Sequence, residues 1–531
     1  MTPAQGNGAN GSGLGPRNPE TDKARLRAIH ASVTAGDIAS AAKMAEDALA
    51  DGIDHVMVLS LVAGRREEEG RFEDSLGLLE RAKAAAPGAV GVLNAIGLCL
   101  GWLGRREEAA AEFGAALAVD PGFAPALANR GMALIALART VEAQRDFEAA
   151  LAIEPDNLIA INGLAALALL RGDPAEARRL ATQVTERQPD YPEALTTLAG
   201  ADIAEGKAGV GEARLRVLLA DQRLQSPDRA NAQSVLGDAL DAQDRFAEAF
   251  EAYEAGNRLR RAHFAPQYDG RQGTLGLVRE LTGALRGKRV AATWGRSTSG
   301  PARHHLFLVG FSGSCATLLE QVLSSHPDVT IMTEKECLVD STRAWMADAA
   351  DIAQFCDAPD EELDTYRAAY WRRVAEEGAD PAGRLFVDSN PFNTFKLPLI
   401  ARLFPEARIL FMRRDPRDTV LSCFSHRFQM SDPAYQMLTL EGAAELYAAT
   451  MAMAETTEQA FGLFMHPCKL EKIIADFDTE MRAIGDFVGI ESMPQLAEGL
   501  GTQDLGKWRD YEGEMAEVLP ILQPWIDRFG Y

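Results

Sequence analysis

A chain of 531 residues is too long for one hydrophobic core, so two or more domains are expected. Acidic residues outnumber basic ones 77 to 54, a net charge of −23, which disfavours nucleic-acid binding because phosphate contacts need clustered Lys and Arg. The apolar share of 47% suits a soluble globular chain, no apolar run is long enough for a membrane span, and six scattered cysteines without metal-ligand spacing point to a reduced cytoplasm and no metal.

Residues 1–21 are rich in Gly, Asn and Pro, with no apolar core and no basic start, and read as a disordered tail rather than a secretory leader. Beyond them, Pro87, Pro121, Pro155 and Pro189 lie 34 residues apart. In phase with these prolines recur small residues at Gly97 and Gly131 and at Ala109, Ala143 and Ala177. Large residues recur at Leu79, Phe113 and Phe147, and turn glycines at Gly70, Gly104 and Gly172. Position and residue type repeating together predict stacked helical hairpins over residues 22–260, and the pattern resembles the tetratricopeptide repeat. One hairpin cannot bury its own apolar face, so neighbours must stack into a superhelix with a long concave surface. On one reading that surface is a groove for a protein or peptide partner. On the other it is a scaffold that packs against the second domain or a twin subunit, as in a homodimer.

Residues 261–303 shift in composition and end in a Gly/Ser/Pro-rich stretch, which predicts a helix and a linker. The domain at 304–531 opens with HHLFLVGF, a buried β-type run, followed by the small residues SGSCAT and then TLLEQVLSSHP. Apolar residues at 318, 319, 322 and 323 have helical spacing, and Pro327 closes the helix. A strand turning through small residues into a helix N-terminus is an anion site, because successive N–H groups and the positive end of the helix dipole face the ligand. Gly310 and Thr317 fit the ends of the G-x-x-x-x-G-K-[ST] loop, but Cys315 and Ala316 stand at its Gly and Lys, which argues against an ATPase or kinase. His304 and His305, placed just before the strand, are expected to be solvated or capping rather than metal ligands.

The segment GFSGSCATLLEQVLSSHPDV resembles the 5′-phosphosulfate loop of sulfotransferases, G-F-P-R-S-G-T-T-L followed by E-Q-L and S-H-P. Downstream, RLFVDSNPFNTFKLPLIARLFPEARILFMRRDPRDTVLSCF resembles the family's second nucleotide motif, in which a strand ends on an Arg and a Ser follows eight residues later on a helix. With repeats in front, the order is similar to the bacterial tetratricopeptide-repeat sulfotransferases. The resemblance implies an α-solenoid followed by a P-loop-like three-layer α/β domain with a parallel sheet. It implies the co-substrate 3′-phosphoadenosine 5′-phosphosulfate, with Ser314 and Thr317 on its 5′ side and Arg414 and Ser422 on its 3′-phosphate. It also implies sulfuryl transfer to a hydroxyl of a protein, peptide or glycan recruited by the repeats, with Glu334 as the base. Read without the family, a guanidinium at a strand end and a hydroxyl at a helix N-terminus still clamp a phosphate dianion. Arg413 and Arg417 are expected either to add positive potential there or to pair with Asp415 and Asp418.

Several positions depart from that pattern. Gly313 replaces the loop Arg, and Cys315 replaces a loop Gly, which strains the turn if φ is positive there. Ser389 replaces the Lys after Asp388, although Pro391 and Asn393 remain; Lys472 stands where an Asp is expected. The stretch that covers the nucleotide, just before GKWRDY, is short, and Trp508 and Tyr511 are expected to pack the C-terminal helix. Lys335, Lys396 and Arg413 are the candidates to replace the lost cations, and Gly313→Arg is the direct rescue. Losing one preorganised donor costs about 10²–10³ in rate. Two readings therefore stand: a sulfotransferase, and a catalytically inactive relative acting as a protein-interaction or nucleotide-sensing module.

Overall fold

The computed structural model describes residues 19–290, 300–490 and 505–531. It divides into two compact units, Met1–Glu205 and Gly206–Tyr531. The described part of the first unit is eleven helices, from Pro19–Thr34 to Pro192–Ala204, packed as consecutive hairpins. The helix Phe72–Ala85 is amphipathic and buries Ser75, Leu76, Leu79 and Ala82, an i, i+3, i+4 spacing that lines one face. The recurring small residues are contact positions. A Cβ on Gly97 would lie 2.5 Å from the Phe113 ring, and one on Gly131 would lie 2.5 Å from the Phe147 ring. Gly70, Gly104 and Gly172 turn the hairpins at φ of +73°, +74° and +75°, a region open to a residue without Cβ.

The second unit opens with the helices Ala208–Ala220, Ser226–Asp241 and Phe246–Tyr268. Its hairpin uses the same close crossing, since a Cβ on Gly237 would fall 2.4 Å from the Tyr253 ring. The helix Thr274–Leu285 buries Leu275, Val278, Leu281 and Leu285 in the main core of the sheet-bearing region. That sheet has five strands: β1 (His304–Val309), β2 (Val329–Thr333), β3 (Leu385–Ser389), β4 (Arg408–Arg413) and β5 (Met465–Lys469). Their order is β2-β3-β1-β4-β5 and every pairing is parallel, with Phe307 of β1 in register with Asp388 of β3 and Ile409 of β4.

Alternation along β1 feeds two cores. Phe307 and Val309 join Phe386 and Ile409 on one face, while Leu306 and Leu308 join Leu385 and Leu410 on the other. Helices cover both faces, which gives the three-layer α/β arrangement. From β1 the chain runs to β2 and β3 on one side and then crosses to β4 on the other. The crevice beyond the carboxyl ends of β1 and β4 is therefore the topological switch point, where open parallel sheets hold ligands. Among the described residues no helix is long and apolar enough to cross a membrane.

Candidate functional site

Residues 310–316 leave β1 and run into the helix Thr317–Ser324. The strand end is pinned by Thr394, whose Oγ1 accepts from the Gly310 N–H at 3.0 Å and donates to the Gly310 carbonyl at 2.5 Å. A Cβ on Gly310 would sit 2.8 Å from both the Met412 carbonyl oxygen and Ser314 Oγ, so only glycine fits. Gly313 (φ +80°) and Cys315 (φ +62°) both adopt left-handed backbone, the alternation that folds successive amides into a concave anion nest. Cys423 Sγ donates to the Ser312 carbonyl at 3.0 Å and Arg414 Nη1 to the Gly313 carbonyl at 3.2 Å, which ties the loop to the β4 side of the crevice. Ser314 is 3% exposed, and its hydroxyl finds no hydrogen-bond partner in the protein. An unpaired buried hydroxyl is costly, by about 1–3 kcal/mol, and an anion oxygen would satisfy it. Thr317 is exposed at the helix start.

Arg414 follows β4 and is buried; Ser422 lies on the helix Pro416–Ser425. Both line a cleft of about 110 Å³ with Asp241, Asp418, Lys507 and Tyr511. At ~30 Å³ per water, that volume holds three or four waters, enough for one phosphate-sized anion. The loop and this pair meet directly: a Cβ on Gly313 would lie 3.3 Å from Ser422 Cβ and Oγ. Arg414 and Ser422 thus meet the loop at Gly313, between β1 and the helix that Thr317 opens.

The neighbouring arginines are differently employed. Arg417 pairs with Asp415 at 2.6 Å and lies over the Trp508 ring at 3.9 Å, while Asp415 also caps its helix through the Arg417 N–H. Arg413 lies over the Phe529 ring at 4.3 Å. Arg417 thus takes the expected alternative of pairing with Asp415, while Asp418 takes backbone N–H groups of Gly506 (2.6 Å) and Trp508 (2.8 Å) rather than an arginine. Lys507, which the sequence did not single out, brings a second cation to the cleft beside Arg414, paired with Asp241 of the helix Ser226–Asp241. Tyr511 donates to the same carboxylate and packs on Phe246 and Phe250, with ring centroids 5.5 and 6.4 Å away.

On the β2–β3 side, Glu334 is exposed and follows β2 at φ +54°, and its N–H donates to the Ser389 carbonyl at 2.7 Å. The Ser389 hydroxyl donates to Glu320 Oε1 at 2.5 Å. Where the family pattern has a lysine, this protein has a hydroxyl bound to a carboxyl group. Burial raises the Glu320 pKa, and the Glu334 charge raises it further. Lys335 pairs with Glu377 at 2.7 Å and Lys396 with Glu336, so neither takes over the missing cation's place. Two of the four positive-φ non-glycine residues described, Cys315 and Glu334, fall in this site, and strain of that kind gathers where function constrains the backbone.

Beneath the site lies a buried chain of polar groups. The Tyr370 hydroxyl donates to Asp388 Oδ2 at 2.8 Å, Asn393 Nδ2 donates to Asp388 Oδ1 at 3.1 Å, and a His305 ring nitrogen lies 2.9 Å from Tyr370 Oη. Burial pushes Asp388 up to about 7 and His305 down to about 3. His305 is thus a neutral core residue inside β1, against the expectation of a solvated or capping role, because the strand begins two residues earlier than expected, at His304. Among the described residues no group of His, Cys, Asp and Glu is arranged to hold a metal. The short stretch before GKWRDY falls on residues 491–504, outside the described residues.

Residues 305–495 match the family model for the sulfotransferase family, and residues 134–200 match that for the tetratricopeptide repeat. Protein-tyrosine sulfotransferase 1 of Danio rerio is 25% identical over 262 residues, 43% of this chain and 72% of that protein. Protein-tyrosine sulfotransferase 1 of Mus musculus is 30% identical over 127 residues, so the chain spans only 34% of that relative's length. A crystal structure of a tetratricopeptide repeat protein from Parabacteroides merdae aligns with 47% of this chain and 95% of its own, at 18% identity and a TM-score of 0.36.

Proposed function

We propose that this sulfotransferase-family domain, which shares its chain with tetratricopeptide repeats, binds 3′-phosphoadenosine 5′-phosphosulfate in the crevice beyond β1 and β4 and transfers its sulfuryl group to a hydroxyl. One observation carries the reading: Arg414 and Ser422 meet the 310–317 loop at the switch point, Arg414 by a hydrogen bond to the Gly313 carbonyl and Ser422 by direct approach. In it, Arg414 and Ser422 hold the 3′-phosphate, and Ser314, Thr317 and the loop amides hold the 5′ side. The acceptor oxygen bonds to sulfur as the sulfur–oxygen bond to the 5′-phosphate breaks. Glu334 takes the hydroxyl proton and adenosine 3′,5′-bisphosphate leaves. The repeats, read over residues 22–260, recruit the acceptor, a protein, peptide or glycan; the similarity to protein-tyrosine sulfotransferases makes a tyrosine hydroxyl the first to test.

The 5′ side is held by neutral groups, so turnover is expected to be slow, by about 10²–10³ for each donor lost, with effects that do not add. Two measurements test the proposal. Calorimetric titration with adenosine 3′,5′-bisphosphate should show binding that Arg414→Ala abolishes. Transfer of labelled sulfate from the donor to tyrosine peptides should be lost in Glu334→Gln. Absence of any binding by the wild-type chain would end the nucleotide reading. The Ser389–Glu320 hydrogen bond favours a second reading, a relative that binds the nucleotide without turnover. That protein would give the same titration and no transfer to any acceptor.

A further inference from the structure

Part of the wall of the Arg414–Ser422 cleft comes from outside the sheet and its loops. Asp241 ends the helix Ser226–Asp241, Tyr253 lies on the next helix, and both line the cleft. This hairpin is fastened to the helix after β4. Asn257 Nδ2 donates to the Phe424 carbonyl at 2.8 Å, Phe250 stacks on Phe424 at 4.8 Å, and Asp238 pairs with Arg427 at 2.6 Å.

The Asp241 side chain is 16% exposed, and its two oxygens accept from the Lys507 ammonium and the Tyr511 hydroxyl. An acceptor-only anion holding an ammonium and a hydroxyl makes the same hydrogen-bonding demand as a pair of phosphate oxygens. The second carboxylate of the cleft differs. Asp418 is 2% exposed and spends its oxygens on the backbone N–H groups of Gly506 and Trp508, so it belongs to the fold. Asp241 instead holds side-chain donors, which can turn toward another anion.

On the reading of Arg414 and Ser422 as a phosphate pair, we propose that Asp241 is a built-in competitor of the phosphate. It neutralises Lys507 and keeps the cleft at about 110 Å³; an entering phosphate takes Lys507 over as Asp241 releases it. The hairpin therefore sets the affinity of the site. The sign separates this role from a merely structural one. Removing the Asp241 charge releases Lys507 and ends a like-charge repulsion, so binding tightens; a residue that only props the hairpin would loosen binding when changed.

The test is calorimetric titration of the full chain with adenosine 3′,5′-bisphosphate, comparing wild type, Asp241→Asn, Lys507→Ala and the double variant. Asp241→Asn should bind about tenfold tighter or more, the scale on which one charge within ~4–6 Å acts on another. Lys507→Ala should bind more weakly, and in its background the gain from Asp241→Asn should shrink. Asp241→Ser serves as a second charge-free variant, with a melting curve to confirm folding. Binding that needs Arg414 but is unchanged or weaker in both charge-free variants overturns the competitor role alone. Absence of binding by every variant, with no effect of Arg414→Ala, overturns the nucleotide site and the competitor role with it.

Discussion

Restoring the loop arginine at position 313 should damage this protein rather than rescue it. Gly313 sits at φ +80°, and a Cβ there would lie 3.1 Å from the Thr419 carbonyl oxygen and 3.3 Å from Ser422 Cβ and Oγ. The left-handed backbone costs a residue with a Cβ about 1–2 kcal/mol. The crowding adds about 1–3 kcal/mol, because Thr419 is 1% exposed on a packed helix and has little room to retreat. A loss of roughly 2–5 kcal/mol is expected for Gly313→Ala, and more for Gly313→Arg. The sign is diagnostic, since Gly→Ala at a tolerant site stabilises by about 0.4–1 kcal/mol through the unfolded chain. Urea unfolding followed by tryptophan fluorescence, with Trp508 close to the site, would report the stability, and titration with adenosine 3′,5′-bisphosphate would report the binding. A neutral or stabilising Gly313→Ala, or a Gly313→Arg that gains sulfuryl transfer, would refute the steric argument.

The neighbouring strain should respond in the opposite direction: Cys315→Gly, at φ +62°, is expected to stabilise by about 1 kcal/mol in the same unfolding assay. Asp388, pushed up from 3.8 to about 7, holds a proton in the folded state that the unfolded chain gives up. Its contribution to stability is full below 3.8 and is lost as pH rises through about 7, so Asp388→Asn should flatten the decline of thermal stability between those values, on a scale of about 1.4 kcal/mol per pKa unit. Ser389→Lys would set an ammonium against Glu320. If the missing cation limits turnover, sulfate transfer should rise by about 10²-fold, and an unchanged rate would move the limit elsewhere.

What the sequence made legible was local. The 34-residue beat could be read because Gly97 and Phe113 touch across one hairpin, so the contact leaves its trace within a few turns of chain. The phosphate loop and the Arg414–Ser422 pair were legible for the same reason, each being one strand end and the helix after it. Polar pairing between side chains was not legible, because it links distant segments: the ion pairs of Lys507 with Asp241 and Lys396 with Glu336, and the Ser389–Glu320 hydrogen bond. Nor was it legible which of the two expected roles Arg413 and Arg417 would take, two of three arginines in a five-residue stretch. Consecutive side chains at a strand end point to opposite sides, which sends Arg413 onto Phe529 and Arg414 to the loop, while the cap at Asp415 captures Arg417. His305 was misplaced by two residues of strand boundary, and that shift moves it into a core of Phe307, Trp371 and Phe404.

The two sides of the site have diverged in a way that constrains its chemistry. On the proposed reading the 3′ side has Arg414 and Lys507, the second already matched by Asp241. Toward the 5′ side, the places of the lost cations are occupied rather than vacant: Thr419 and Ser422 crowd the Cβ position of Gly313, and Glu320 takes the hydroxyl of Ser389. A site merely losing its arginine and lysine would leave gaps. This one has closed over them, so on the proposed reading a 5′-phosphosulfate would be held by loop amides and the buried Ser314 hydroxyl. Neutral donors fixed in place still stabilise developing charge, but they release no counterions when an anion binds and carry no net charge to be screened. The salt dependence of donor affinity should therefore come from Arg414 and Lys507 alone, and in the same domain with Ser389→Lys it should steepen.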